Sequence, residues 1–158
     1  MSIVARLEDY LEERRIPYWR STHPAAFTAQ EVAQAEHVSG RMLAKAVVFI
    51  ADGKFAMAVL SADAVVDLQE LRQTLAATHL RLATEREIAD LFPDCELGAM
   101  PPFGNIYGLP VYVEASLAQQ QEIAFNAGTH RDVVHMKFAD FRRAVEPITL
   151  AFGRRMAA

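Results

Sequence analysis

The sequence predicts an α+β fold built on a mixed β-sheet. Three observations carry that expectation. Short strand-like segments outnumber the helices and alternate with them along the chain. Asp52-Gly53 stands between two apolar runs, the two-residue signature of a β-hairpin. Capping-box spacings, Thr28 with Glu31 and Thr84 with Glu87, mark helix starts where side chains satisfy orphan amides. No repeat, low-complexity stretch or linker interrupts the pattern, so residues 1–158 are expected to form one domain.

Each element follows from its local pattern. Ser2 to Arg15 is expected to be a helix, because Ile3, Val4, Leu7, Tyr10 and Leu11 share one face. Ile16-Pro17 ends it, and Tyr18 to Thr22 reads as a short strand. His23-Pro24 makes a turn into a helix running from Thr28 to Ala35, and Ser39 to Met42 forms a further turn. Leu43 to Ile50 and Lys54 to Leu60 are the hairpin strands. Val65 to Leu75 reads as a helix with Asp67 near its N-cap, and Leu80 to Ala83 as a strand. The helix opened by Thr84 is closed by Pro93. Leu109 to Glu114, Glu122 to Asn126 and Arg131 to Phe138 read as strands. Short helices are expected around Ser116–Gln121 and Phe141–Val145.

Composition narrows the function. The chain is 52% hydrophobic and 23% charged, enough apolar material for a core. Its net charge of -4 excludes an overall basic nucleic-acid footprint and leaves only local patches. Arg142, Arg143, Arg154 and Arg155 are one such patch, read as solubilising charge or as phosphate contacts. With Cys95 as the one cysteine, no disulfide framework or thiolate cage can form, and a cytoplasmic location is expected. The N-terminal stretch has no apolar signal core, and no apolar run is long enough to span a bilayer.

Two features stand out chemically. Gly98-Ala99-Met100-Pro101-Pro102-Phe103-Gly104 combines flexible glycines with stiff paired prolines. It reads either as a rigid connector or as a cradle exposing the N–H groups of Gly98, Ala99, Phe103 and Gly104. Lys45 interrupts an otherwise apolar strand. It is either a snorkelling edge lysine or a cation at a pocket rim that reaches phosphate. The five histidines, His23, His37, His79, His130 and His135, lack metal-site spacing, so no metal is expected. His130 and His135, five apart on one expected strand, would face opposite ways. There is no G-x-S-x-G nucleophile turn, no P-loop and no dinucleotide fingerprint, and Cys95 reads as structural.

The order of these pieces resembles the YbaK/prolyl-tRNA synthetase-associated family of free-standing editing proteins. The resemblance rests on His23-Pro24, Leu43-Ala44-Lys45, the G-x-x-x-P of Gly98 to Pro102, and Asn126-Ala127-Gly128-Thr129-His130, and spans roughly residues 18–146. It implies a mixed, curled, partly barrel-like sheet surrounded by helices, with a pocket between the lysine strand and the loop. It implies a hydrolase that cleaves the ester of mischarged aminoacyl-tRNA without a cofactor. The substrate class would be alanine, serine or threonine on a noncognate tRNA, proline tRNA among them. Lys45 would contact phosphate near the terminal adenosine, and Gly98, Ala99 and Pro102 would hold the aminoacyl carbonyl. His23, Met100, Pro101, Phe103, Gly104, Gly128, Thr129 and His130 would complete the substrate site. Implied partners are the acceptor end of aminoacyl-tRNA and an aminoacyl-tRNA synthetase, with no membrane. Ala46 departs from the alanine branch, where asparagine follows the lysine, and Leu97-Gly98 from the Gly-Gly of the cysteine branch. Rival readings of the same pocket are a cysteinyl-tRNA deacylase and a non-catalytic binding module for aminoacyl-tRNA or a nucleotide-like ligand.

Overall fold

A computed structural model describes residues 4–24, 29–36 and 38–155. In chain order the elements are α1 (Ala5–Glu13), β1 (Trp19–Thr22), α2 (Ala29–Ala35), β2 (Ala44–Ala51), β3 (Lys54–Ser61) and β4 (Ala64–Val66). They continue with α3 (Leu68–Thr74), β5 (Leu80–Leu82), α4 (Glu85–Leu91), β6 (Val111–Glu114), β7 (Glu122–Asn126), β8 (Asp132–Lys137), α5 (Phe138–Val145), β9 (Ile148–Leu150) and β10 (Gly153–Arg155). The strands form a five-stranded mixed sheet in the order β5-β2-β3-β6-β9, a three-stranded sheet β1-β8-β7 and a two-stranded ribbon β10-β4. The α+β mixed-sheet expectation holds. Among the described residues these sheets do not close into a barrel.

Local chemistry explains the elements that local sequence predicts. Asp52 (φ 49°) and Gly53 (φ 84°) link the Ala51–Lys54 pair, the left-handed pairing that a two-residue hairpin turn needs. The α4 capping box forms in full: Thr84 Oγ1 accepts from the Glu87 amide, and Glu87 Oε1 accepts from the Thr84 amide. The α2 capping expectation at Thr28 lies outside the described residues.

The departures have tertiary causes. Val65 and Val66 belong to β4 instead of a helix, because β10 pairs with them and the Phe152 carbonyl accepts the Asp67 amide. Helix α3 therefore begins at Leu68, with Asp67 accepting from the Glu70 amide. Strands β9 and β10 had no sequence signal; β9 adds in parallel to β6. Strand β8 begins at Asp132, so His130 lies before it in a turn and does not alternate with His135. Helix α5 starts at Phe138 instead of Phe141. The 116–121 segment makes only a 3₁₀ turn at Leu117–Gln119.

The three-stranded sheet is covered on both faces. Ile123, Phe125, Val134 and Met136 face the main core with Leu7 and Leu11 of α1. Ala124 and Val133 face Val32 and Ala33 of α2, together with Leu43. Phe103 is the hub of the main core. Its ring packs against Tyr10 at 6.2 Å, Phe125 at 5.5 Å and Phe141 at 5.5 Å. Beside it Gly104 has no room for a side chain, since a Cβ would lie 3.2 Å from Met57 Cβ and from Val111 Cγ2. The Gly98–Gly104 segment is thus nailed to the core at its C-terminal end. Phe103→Ala should lower stability by about 3–5 kcal/mol, read as a fall in the urea midpoint.

Candidate active site

The site is built on an interruption in the hydrogen bonding of β2. Ala51 and Lys54 close the two-residue hairpin, so odd-numbered residues of β2 direct their N–H and C=O toward β3. Even-numbered residues direct theirs to the opposite edge. Two bonds on that edge fit this phase, from the Ala83 amide to the Val48 carbonyl and from the Ala124 amide to the Met42 carbonyl. Two different strands share the edge. β7 meets its start through a parallel bridge between Leu43 and Ala124, and β5 pairs with its end from Phe49 to Ala51. Between them, Lys45 to Val47 have no ladder partner on that edge among the described residues. The peptide groups of Ala46 face this gap.

Lys45 stands at the gap, and its side chain shares a strand face with Val47 and Phe49. Lys45 is half-buried and makes no ion pair within 4.0 Å among the described residues. Burial pushes its pKa below the ordinary lysine value, while the charge of Asp63 partly opposes the shift. Asp63 itself is occupied by Arg41, at 3.8 Å, and by the Ser61 hydroxyl, at 2.7 Å. A lysine desolvated without a partner is costly, and that cost points to an anionic ligand.

Across the gap is Asn126, which the sequence presented only as part of a turn motif. Counting two residues along each strand from the Leu43–Ala124 bridge sets Asn126 level with Lys45. Its side-chain oxygen is buried and has no hydrogen-bond partner among the described residues. A polar residue ending a strand looks like an ordinary turn former, so sequence alone carried no sign of this orphan acceptor.

Two loops are laced together beyond Asn126. Gly98 takes φ +84° as the third residue of the turn closed by the Ala99 amide and Glu96 carbonyl, at 3.0 Å. The Gly128 amide donates to the Ala99 carbonyl at 2.9 Å, and the Glu96 amide donates to the Gly128 carbonyl at 2.8 Å. The His130 amide donates to Glu96 Oε1, and its Nε2–H donates to the Leu97 carbonyl, each at 2.8 Å. A Cβ on Gly98 would meet His130 Cε1 at an ordinary 3.6 Å. Gly128, at φ +101°, packs so closely on Val4, the N-cap of α1, that a Cβ would lie 2.9 Å from Val4 Cβ. Thr129 Oγ1 donates to Asp132 at 2.6 Å and accepts from the Asp132 amide at 3.0 Å, fixing the turn.

These contacts redistribute the expected site residues. Lys45, Gly98 and His130 remain at the gap and its flanking loops. The expectation of open N–H groups along the loop is corrected: the Ala99 amide is used inside its turn, and Phe103 and Gly104 are buried in the core. Met100, Pro101 and Pro102 are buried as well, so they shape the loop from beneath. Gly128 and Thr129 hold the second loop.

His23 joins a buried polar cluster under α2. Its Nδ1–H donates to the Pro24 carbonyl at 2.6 Å, and its Nε2 lies 3.7 Å from Glu36 Oε2. Glu36 Oε1 accepts from the Ser21 hydroxyl and from His135 Nε2, the latter at 3.1 Å. Ser21 Oγ is also 3.0 Å from the same His135 nitrogen. This is no catalytic triad: serine and imidazole both donate to the carboxylate, so no imidazole lone pair faces the hydroxyl. Cys95 is equally unsuited to attack. Burial raises its pKa to about 11, and Tyr107 Oη sits 3.3 Å from Sγ. Among the described residues no group of three or more His, Cys, Asp or Glu is placed to hold a metal ion.

Fold and site together define an editing domain. The family model for the aminoacyl-tRNA editing domain matches residues 23–144, and the chain belongs to that family. Its activity is that of a hydrolase deacylating mischarged aminoacyl-tRNA. It is 31% identical over 138 residues to the multifunctional Ser/Thr-tRNA deacylase ProXp-y of Escherichia coli K12, covering 84% of this chain and 82% of that protein. It is 32% identical over 120 residues to a proline–tRNA ligase of Dehalococcoides mccartyi, covering 76% of this chain and 20% of the ligase. A solved structure described as a candidate trans-editing enzyme for prolyl-tRNA synthetase shares the fold, with TM-score 0.85, 24% identity and 96% of each chain covered. No helix among the described residues is long and apolar enough to cross a membrane.

Because Cys95 is a protonated, half-buried packing group, Cys95→Ser should keep deacylation within about twofold of wild type, since no thiolate is used. Single-turnover rates at neutral pH, with and without a thiol alkylator, read this directly.

Proposed function

We propose that the chain clears serine, threonine and alanine from noncognate tRNA, proline tRNA among them, by direct attack of water on the ester. The observation that carries this reading is the half-buried Lys45 ammonium at the gap in β2, without a counter-ion among the described residues. Its ligand is the phosphate of the terminal nucleotide. An aminoacyl ester is already activated, so a well-placed water and preorganised dipoles suffice. With the Ala99 amide engaged, carbonyl binding falls to the Gly98 amide. The orphan Asn126 oxygen accepts a hydroxyl of the terminal ribose, which lies next to the phosphate held by Lys45. The stiff loop supports selection by size, because a yielding apolar wall separates substrates differing by a methylene by only ~1–3 kcal/mol. The match to part of a proline–tRNA ligase supports action beside a synthetase.

The test is deacylation of seryl-, threonyl-, alanyl- and cysteinyl-tRNA by wild type, Lys45→Met and Asn126→Ala. The first three substrates should be cleaved and the cysteinyl ester spared. Lys45→Met should lose about 100-fold or more, the scale of one transition-state contact. Asn126→Ala should lose about 10-fold, as one hydrogen bond does. A charged tRNA held stably without hydrolysis would instead establish a binding module.

The pH dependence has a definite sign. Lys45 releases its proton at lower pH in the folded state than in the unfolded chain. Between the two values the unfolded chain binds more protons, so this residue's contribution to stability rises with pH. Activity runs the other way, because phosphate needs the cation. Lys45→Met should therefore unfold at a temperature equal to or above wild type while losing deacylation, as read by calorimetry beside the assay.

A further inference from the structure

A second charged feature adjoins the gap. A cleft of about 260 Å³ opens between the β4–β10 ribbon, the turn at residues 39–42 and the 3₁₀ turn after β6. Arg41, Ser61, Asp63, Glu114, Arg154 and Arg155 are among its walls. Its two carboxylates are already committed. Glu114 is buried, and its Oε2 accepts the amides of Phe152, at 2.7 Å, and Gly153, at 3.0 Å. Asp63 is shared by Arg41 and Ser61. Arg154 and Arg155 are exposed and have no carboxylate partner among the described residues. In a chain of net charge -4, this local excess of positive charge is a departure from the rest of the surface.

The cleft lies beside the start of the strand that carries Lys45. Ser61 in its wall is the cross-strand partner of Ala44, the residue before Lys45. Asp63 in its wall is the carboxylate whose charge acts on Lys45. Arg154 and Arg155 also lie beyond residues 23–144, the span matched by the family model. They are carried on β10, whose pairing with β4 fixes them over the cleft.

We propose that Arg41, Arg154 and Arg155 form a track for the sugar-phosphate backbone of the acceptor arm that leads into the gap. The proposal rests on the deacylase reading of the Lys45 site. An RNA strand whose last phosphate is held at Lys45 carries further phosphates at regular spacing, and guanidinium groups match their geometry with paired N–H donors. Binding of this kind releases counterions, so its strength falls steeply with salt. The track supplies affinity for the tRNA body, while the gap supplies chemistry.

The experiment compares two substrates across a potassium chloride series: full-length seryl-tRNA and the seryl ester of the trinucleotide CCA. The proteins are wild type, the double variant Arg154→Glu/Arg155→Glu, the conservative double variant Arg154→Lys/Arg155→Lys, and Lys45→Met. For the Glu pair, KM on tRNA should rise about 10-fold or more, with kcat within about threefold, and the log–log salt slope should fall by about 2. The CCA ester should be cleaved as by wild type, and the Lys pair should keep the tRNA slope. An unchanged KM and slope on tRNA would overturn the track, as would equal losses on both substrates. Retained turnover of both substrates by Lys45→Met would overturn the reading of the gap itself.

Discussion

Everything at this site depends on a competition for one edge of one strand. β7 claims the start of β2 in parallel, and β5 claims its end in antiparallel. The two cannot meet along that edge, so Lys45 to Val47 are left between them. A gap in a sheet is normally a liability, because unpaired peptide groups must be satisfied. Here the chain brings to that opening a desolvated cation, an orphan amide oxygen and two interlaced loops. The rest of the fold keeps the gap from closing. The N-cap of α1 wedges against Gly128, Phe103 anchors the glycine-proline loop in the core, and α2 covers the far face of the β7–β8 pair.

The division of the buried polar groups is equally instructive. The groups that most resemble a nucleophile with its base are already bound to other protein groups. Ser21 and His135 both donate to Glu36, and Cys95 is packed beside Tyr107. At the gap itself, among the described residues, Lys45 has no ion pair and the Asn126 oxygen has no hydrogen-bond partner. The protein withholds reactive side chains and offers binding groups, an arrangement suited to an ester whose own energy drives hydrolysis.

How much of this could be read from sequence follows from how far apart the partners lie. The Asp52-Gly53 hairpin and the Thr84 cap were legible because their partners are within three residues. Lys45 was legible because a charge in an apolar strand is anomalous wherever it points. The helix expected from Val65 was wrong because its first residues pair with β10, nearly ninety positions away. The Glu36 cluster was invisible for the same reason, since Glu36 bonds Ser21 across 15 residues and His135 across 99. The loop was recognised by composition, yet composition could not tell which of its amides face inward. Phe103 and Gly104 proved to be its anchor.

The indole of Trp19 gives this corner of the molecule an optical property. It is the chain's one tryptophan, half exposed on β1, and it lies flat on the His135 ring with 5.3 Å between centroids and 8° between planes. The same imidazole donates to Glu36, which belongs to the residue run that carries α2 over the sheet. Any movement of that helix changes the position of the ring under the indole. The emission of a single chromophore thus registers the seating of α2, with no label added, and would separate its motion from the chemistry in time.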